Sequence, residues 1–132
     1  MTEPVALMLL TALAGGVGAV LRVVVDGAIT VRVARRARAV SLPWGTLVVN
    51  LTGSLAIGLL TGVFTIEHPL TLVLGVGLLG GFTTLSTASV ETVRLLQSAR
   101  PGAATLQAFG QLGAAVAAVL LGYWLGSQLS LL

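Results

Sequence analysis

Apolar residues in this chain fall into four long runs that are separated by short polar or charged connections. The stretches without Asp, Glu, Lys or Arg are Pro4–Leu21, Ala39–Ile66, His68–Val90 and Pro101–Leu132. A helix needs about 20 apolar residues to cross the roughly 30 Å hydrocarbon core of a bilayer. The pattern therefore predicts an all-α membrane protein with one domain over residues 1–132, whose spans lie at about 5–30, 44–65, 70–97 and 103–128.

The third run contains a polar cluster that is unusual for a helix surrounded by lipid. The pair Gly80-Gly81 and then Phe82 precede five hydroxyl residues, which are Thr83, Thr84, Ser86, Thr87 and Ser89. Backbone polar groups in hydrocarbon must be satisfied internally, so irregular backbone survives there only where protein or water covers it. We therefore expect the third helix to be broken around Gly77–Thr84. We interpret this segment as part of the lining of an ion pathway.

Composition and charge exclude several classes of protein. Only 8% of the residues are charged and the mean hydropathy is +1.05, whereas a typical soluble domain has about 25% charged residues. The chain has no cysteine, so disulfides and thiolate metal sites are excluded. All seven basic residues are arginines. In so apolar a chain they indicate orientation in the membrane rather than binding to nucleic acid.

The distribution of arginine predicts the orientation of the four spans. The first connection holds Arg32, Arg35, Arg36 and Arg38, and the third is flanked by Arg94 and Arg100, whereas the termini and the second connection hold no basic residue. By the positive-inside rule both arginine-rich connections are cytoplasmic and both termini lie outside. The lysine-free composition favours a GC-rich bacterial source, and hence the bacterial inner membrane.

Several polar residues near the spans allow two interpretations. Asn50 lies in the middle of span 2 and forms either an interhelical hydrogen bond or a donor that faces an anion pathway. Arg22 either snorkels to the cytoplasmic surface or pairs with Asp26 at i,i+4. Glu91 is similarly spaced for a pair with Arg94. Glycines at small-xxx-small spacing, such as Gly58 with Gly62 and Gly122 with Gly126, favour close helix packing.

The sequence does not indicate an enzyme. Its four carboxylates, which are Glu3, Asp26, Glu67 and Glu91, are scattered, and no Ser/His/Asp or His/Glu cluster has a useful spacing. A small multidrug-type exporter is an alternative with four short spans. Proton-coupled exporters of that kind have an essential carboxylate deep in span 1. This chain has no Asp or Glu between Pro4 and Leu21.

Three motifs, in order along the chain, resemble the signatures of the CrcB/Fluc family of fluoride channels. They are GGVGAVLR at Gly15–Arg22, GTLVVNLTGS at Gly45–Ser54 and GGFTTLST at Gly80–Thr87. The resemblance implies a four-helix subunit in an antiparallel dimer, in which one subunit is inverted relative to the other. Two narrow pathways along the interface would let fluoride leave the cell passively and so lower cytoplasmic fluoride.

The resemblance also implies roles for individual residues. The fluoride pathway would be lined by Asn50, Thr84, Ser86 and Thr87. Backbone carbonyls of Gly80 and Thr83, with their copies in the partner, would hold a central structural sodium ion. Outside these sets, Arg22 would mark the cytoplasmic end of span 1, Phe82 belongs to the third motif, and Glu91 would follow the pore segment.

The chain departs from the family pattern at Leu85 and Ala88, where the typical motif has two phenylalanines whose ring edges contact fluoride. Ring edges are electropositive and attract an anion, which aliphatic groups do not. The strong arginine bias also opposes insertion in both orientations. We therefore expect a heteromeric pair with an oppositely oriented paralogue that supplies the aromatic residues. The alternative is a non-conducting structural subunit.

Overall fold

The computed structural model describes residues 2–36 and 42–129, and these residues form five helices. Helix α1 is Thr2–Arg36 and α2 is Trp44–Val63. Helix α3 begins with a π-helical stretch, Thr71–Leu79, and ends with Gly80–Phe82; α4 is Leu85–Gln97. Helix α5 combines Pro101–Thr105, the π-helical Leu106–Gly110 and Gln111–Leu129. Because α3 and α4 together form one span, the described residues contain four spans, which confirms the predicted membrane fold.

Helix α1 is long and presents most of its side chains to the outside of the bundle. It has 35 residues, so it is about 52 Å long at roughly 1.5 Å per residue. Met8 and Leu13 are 71% and 69% exposed, which is expected of side chains in contact with lipid. The helix continues to Arg36, so that Arg32 and Arg35 lie on it rather than in the connection. Arg38 lies outside the described residues.

Helix α2 is the most buried helix, because it is in contact with every other span. Thr46 and Val49 on α2 are 1% and 0% exposed. Helices α2 and α5 cross at paired glycines, and a Cβ atom on any of the four would overlap a backbone carbonyl oxygen of the facing helix. These glycines are Gly58 and Gly62 on α2, and Gly122 and Gly126 on α5.

The same kind of contact holds α3 against α1. A Cβ atom on Gly18 would overlap the carbonyl oxygen of Leu78, and one on Gly81 would overlap that of Gly15. Gly77 approaches the carbonyl oxygen of Thr11 in the same way. The glycines of α3 therefore allow close approach of two backbones, which fixes the end of α3 relative to the rest of the bundle.

Replacing Gly122 by alanine is expected to destabilise the protein by about 2 kcal/mol, because an added methyl group forces α2 and α5 apart. The control is Gly113→Ala on the same helix, where a Cβ atom meets nothing within 4 Å. Thermal unfolding in detergent measures both variants. Equal stability of the two would show that the glycine contact does not hold α2 to α5.

Candidate functional site

The break in the third span lies at Thr83 and Thr84. Both have extended backbone, with φ −75° and ψ 156° at Thr83 and φ −150° and ψ 123° at Thr84. The expected interruption is therefore present. It lies after the paired glycines and not at them, since Gly80 is helical with φ −63° and ψ −38°. Gly81 is also helical, and its lack of a side chain allows close packing against α1.

The side chain of Thr84 starts the helix that follows the break. Its hydroxyl oxygen accepts a hydrogen bond from the backbone N–H of Thr87 at 3.2 Å, as an N-cap residue does. The hydroxyl also donates to Thr87 Oγ1 at 3.1 Å. Ser86 Oγ lies 3.3 Å from Thr84 Oγ1. The hydroxyl residues predicted for the pathway therefore form one local network around the start of α4.

Asn50 clamps the broken backbone from the neighbouring helix. Its Nδ2 donates to the carbonyl oxygen of Thr84 at 2.8 Å, and its Oδ1 accepts from the backbone N–H of Thr84 at 2.7 Å. The amide thus satisfies the two backbone groups that a continuous helix would have satisfied. Asn50 is 8% exposed. One N–H of Nδ2 remains beyond this pair, because an amide nitrogen carries two hydrogens.

The break also withdraws two backbone donors from their helical acceptors. In a continuous helix the carbonyls of Gly80 and Thr83 would accept from the N–H groups of Thr84 and Thr87. The first N–H donates to Asn50 and the second to Thr84 Oγ1. Both carbonyl-bearing residues line the groove described next. Within residues 2–36 and 42–129 these two carbonyls have therefore lost their helical donors, and hard cations prefer oxygen ligands of this kind.

A groove of about 690 Å³ runs beside the break, between α2, α4 and α5. Its polar lining residues are Asn50, Ser54, Thr83, Thr84, Ser89, Thr92, Gln107 and Gln111. Leu85 and Ala88, which stand where the family pattern has phenylalanines, also line it. Leu85 is 79% exposed and Ala88 is 8% exposed. The groove therefore combines polar and apolar lining residues and lies next to the exposed Leu85.

A second, smaller cavity of about 150 Å³ lies on the other side of Thr84. It is lined by Arg22, Val23, Asp26, Thr46, Val49, Thr84 and Thr87. Thr84 thus separates the two cavities, with Asn50 on one side and Thr87 on the other. Ser86 lines neither cavity and is exposed. Phe82 is also absent from both linings and packs against α2 at Gly53.

Arg22 connects α1 to the start of α4. Its Nη1 donates to Thr87 Oγ1 at 3.4 Å, and its Nε is buried without a hydrogen-bond partner. In residues 2–36 and 42–129 no ion pair joins Arg22 to Asp26, so the i,i+4 pair that their spacing permits is not formed. Asp26 instead accepts from Thr30 Oγ1 at 3.4 Å and lies against Gly45.

Glu91 also has partners that differ from the expected ones. Thr46 Oγ1 donates to Glu91 Oε1 at 2.8 Å, and Gln107 Nε2 donates to Glu91 Oε2 at 3.3 Å. No ion pair with Arg94 is present in the described part of the chain. Gln107 and Gln111 were not identified from the sequence. Two glutamines at i,i+4 in a span without charges were the available signal, since such amides need partners at membrane depth.

Four apolar spans, one of them interrupted beside a polar groove, define an integral membrane protein of the channel or transporter class. Residues 9–123 match the family model described as "CrcB-like protein, Camphor Resistance (CrcB)". The chain belongs to the CrcB family. This match covers all three motifs in full and at least part of each of the four spans.

Curated relatives of similar length carry the name "Fluoride-specific ion channel". The chain is 45% identical over 124 residues to FluC 1 of Leifsonia xyli, covering 90% of this chain and 85% of the relative. It is 42% identical to FluC 2 of Cutibacterium acnes, covering 92% and 98%. It is 43% identical to FluC of Thermus thermophilus, covering 92% and 95%.

Asn50→Leu is expected to leave the backbone N–H of Thr84 without a hydrogen-bond acceptor, because leucine cannot replace Oδ1 of Asn50. A buried unsatisfied group costs about 1–3 kcal/mol, so exchange of this hydrogen should accelerate by roughly tenfold or more. Asn50→Asp keeps an acceptor and should preserve most of the protection. Thr52→Val is the control, since Thr52 bonds only to carbonyls of its own helix. Hydrogen exchange by NMR measures all three, and unchanged exchange in Asn50→Leu would contradict the clamp.

Proposed function

We propose that this chain is a subunit of a fluoride-specific ion channel that lowers cytoplasmic fluoride by passive efflux of the anion. The observation that carries the proposal is the clamp between Asn50 and Thr84, which fixes hydrogen-bonding groups in the wall of a groove at membrane depth. The names of relatives that are 42% to 45% identical along most of the chain support it.

The chemistry of the groove suits a small anion. Fluoride is strongly hydrated, so a selective path must replace its water with several hydrogen-bond donors in a narrow passage. The remaining N–H of Asn50 is such a donor. The hydroxyls of Thr84 and Ser89 donate to Thr87 Oγ1 and to the carbonyl oxygen of Leu85, and each would have to rotate to donate to an anion in the groove. The pathway has no charged group among its lining residues, which favours passage over tight retention. Passive exit is sufficient. Neutral HF enters cells and dissociates at neutral pH, and the fluoride anion can then leave down its electrical gradient.

A second subunit is needed to narrow the pathway. The groove of about 690 Å³ is far larger than one small anion and is open on one side. We propose that an inverted subunit covers it in an antiparallel dimer. The six arginines at the first and third connections, with no basic residue at the termini or in the second connection, favour a single orientation for this chain. The partner is therefore an oppositely oriented paralogue, and it supplies the aromatic groups missing at Leu85 and Ala88.

A structural sodium ion fits the same interface. The carbonyls of Gly80 and Thr83 have lost their helical donors and line the side of the subunit that the partner would cover. Two carbonyls from each subunit would give the oxygen ligands that a hard cation prefers. Bound there, sodium would hold the two breaks together and place a positive charge beside the anion route.

The chain is a multi-pass membrane protein, and we assign it to the bacterial inner membrane with both termini outside. The described arginines Arg32, Arg35, Arg94 and Arg100 flank the first and third connections, which the positive-inside rule places in the cytoplasm. Lipid would surround the exposed apolar side chains of α1. Fluoride would then leave along the groove toward the face that carries the termini.

One observation favours a second candidate, a non-conducting structural subunit of such a channel. Leu85 is exposed at the groove and Ala88 is buried beside it, and neither can present a ring edge to an anion. Such a subunit would contribute stability and the sodium ligands, while its partner carried the flux.

Fluoride efflux from liposomes, measured with a fluoride electrode, tests the proposal. The chain together with its paralogue is expected to release fluoride at least about tenfold faster than the chain alone, a difference of about 1.4 kcal/mol in barrier. Fast efflux by the chain alone would refute the need for a paralogue. Efflux from the pair that is unchanged when Asn50 becomes leucine would refute the assigned pathway.

Leu85→Phe is expected to raise the efflux of the chain reconstituted with its paralogue severalfold, because an exposed position accepts a ring whose edge attracts the anion. Ala88→Phe should instead lower expression or stability, since Ala88 is buried. The matched control is Leu106→Phe, which is 58% exposed on α5 and outside the groove lining. Equal effects of the two exposed substitutions would contradict a role for a ring at Leu85.

A further inference from the structure

The connection between α4 and α5 holds an arginine whose guanidinium group is partly buried. The Nη1 atom of Arg100, which carries two hydrogens, lies in the interior without a hydrogen-bond acceptor. Within residues 2–36 and 42–129 the guanidinium groups of Arg100 and Arg94 form no hydrogen bond and no ion pair. Burying a charged donor without an acceptor is costly. This nitrogen therefore needs an acceptor that the described part of the chain does not provide.

The backbone holds the turn around Arg100 in one conformation. The N–H of Ser98 donates to the carbonyl oxygen of Arg94, and the N–H of Arg100 donates to that of Leu95, both at 3.0 Å. Ala99 between them has φ 54°, as does the left-handed residue that ends many helices. The chain therefore turns back at once, and Arg100 lies beside the last turn of α4, which contains Arg94.

This turn lies where two spans reach the same surface of the membrane. Only residues 98–100 separate α4 from α5. Leu96 on α4 is 53% exposed, and Leu106 and Phe109 on α5 are 58% and 72% exposed. Phe109 lies roughly 13 Å deeper along α5 than Arg100, at about 1.5 Å per residue. Basic groups at the surface are thus followed by exposed apolar side chains toward the bilayer centre, which is the order of phosphate and acyl chains in a lipid.

We infer that Arg94 and Arg100 bind the phosphate of an anionic phospholipid of the cytoplasmic leaflet, whose acyl chains lie along the exposed apolar residues of α4 and α5. The N–H groups of arginine match phosphate oxygens in geometry and in charge. Two guanidinium groups without a carboxylate partner favour a head group with a net negative charge over a zwitterionic one. The inference goes beyond the proposed function and does not depend on conduction of fluoride.

The alternative is that both arginines act only as orientation signals and as cations near the carbonyl end of α4. Charges with that role need no particular head group. Arg32 and Arg35 provide the comparison, because they are exposed on α1 and form no hydrogen bond or ion pair in the described residues. An exposed arginine attracts anionic lipid in general, whereas a buried guanidinium nitrogen needs an acceptor at one defined place.

Native mass spectrometry of the full chain in detergent micelles tests the inference. The protein is titrated with phosphatidylglycerol or with phosphatidylcholine of the same acyl chains, and the Kd of the first bound lipid is measured. We expect phosphatidylglycerol to bind about tenfold more tightly, since each arginine beside an anionic head group contributes about fivefold. Arg100→Gln should lower this preference about fivefold. Arg35→Gln is the matched control and should change it by less than about twofold, because salt screens an exposed charge.

Thermal unfolding in the same micelles shows whether each variant is folded and responds to lipid. Phosphatidylglycerol should raise the Tm of the unchanged chain and of Arg35→Gln more than phosphatidylcholine does, because a ligand that binds the folded state stabilises it. Arg100→Gln should lose this additional stabilisation. Arg100→Lys keeps the charge without the planar guanidinium and should retain an intermediate preference.

Three results would overturn the inference. The unchanged chain may bind both lipids equally, in which case no head group is recognised. Equal losses in Arg100→Gln and Arg35→Gln would show that general charge attracts the lipid. Displacement of phosphatidylglycerol by sodium phosphate at equal concentration would indicate a site for soluble anions instead. None of these results concerns efflux, so the proposed function stands or falls separately.

Discussion

The structure depends on the rule that backbone N–H and C=O groups inside a bilayer must have partners. The third span breaks at Thr83 and Thr84, where the regular helical bonds stop. Asn50 restores two of the missing bonds and the hydroxyl of Thr84 restores a third. The break is therefore stable only because a polar side chain from α2 stands beside it. The residues that satisfy the broken backbone are also those that line the groove.

Close packing by glycine determines where that polar side chain stands. Asn50 reaches Thr84 only if α2 and the end of α3 keep a fixed separation. Gly122 and Gly126 hold α5 against α2, and Gly81 holds α3 against α1 through backbone contacts. Such contacts are stiff, because a carbonyl oxygen cannot move aside as a flexible side chain does. The hydrogen bonds between Asn50 and Thr84 therefore depend on the glycine contacts that fix the separation of the helices.

Apolar run length alone predicted the four spans, since the bilayer imposes a minimum length on each helix. The break was predicted around Gly77–Thr84 from the paired glycines and the polar residues after them, but Gly80 is helical and Gly81 packs against α1. Sequence cannot distinguish a glycine that breaks a helix from one that admits a neighbouring backbone. Asn50 forms the interhelical hydrogen bonds of the first alternative and also lines the groove, while its role in an anion pathway stays a prediction.

The errors concern the partners of charged residues. Arg22 and Asp26 share a helix face, yet Arg22 turns to Thr87 on another helix. Glu91 bonds to Thr46 and Gln107 and not to Arg94. Spacing along one helix shows which residues can meet within that helix, but in a bundle the neighbours on other helices compete. Those neighbours are known only once the helices are packed.

The length of α1 has a consequence for how the protein sits in its membrane. A helix of about 52 Å exceeds a hydrocarbon core of roughly 30 Å even at a tilt of 40°, the upper end of the usual range. Its last turns, with Arg32 and Arg35, are therefore expected to lie beyond the acyl chains, at the level of the lipid headgroups or in water. The guanidinium groups of Arg32 and Arg35 can then bind lipid phosphates at that level, which would hold α1 at a fixed depth in the bilayer.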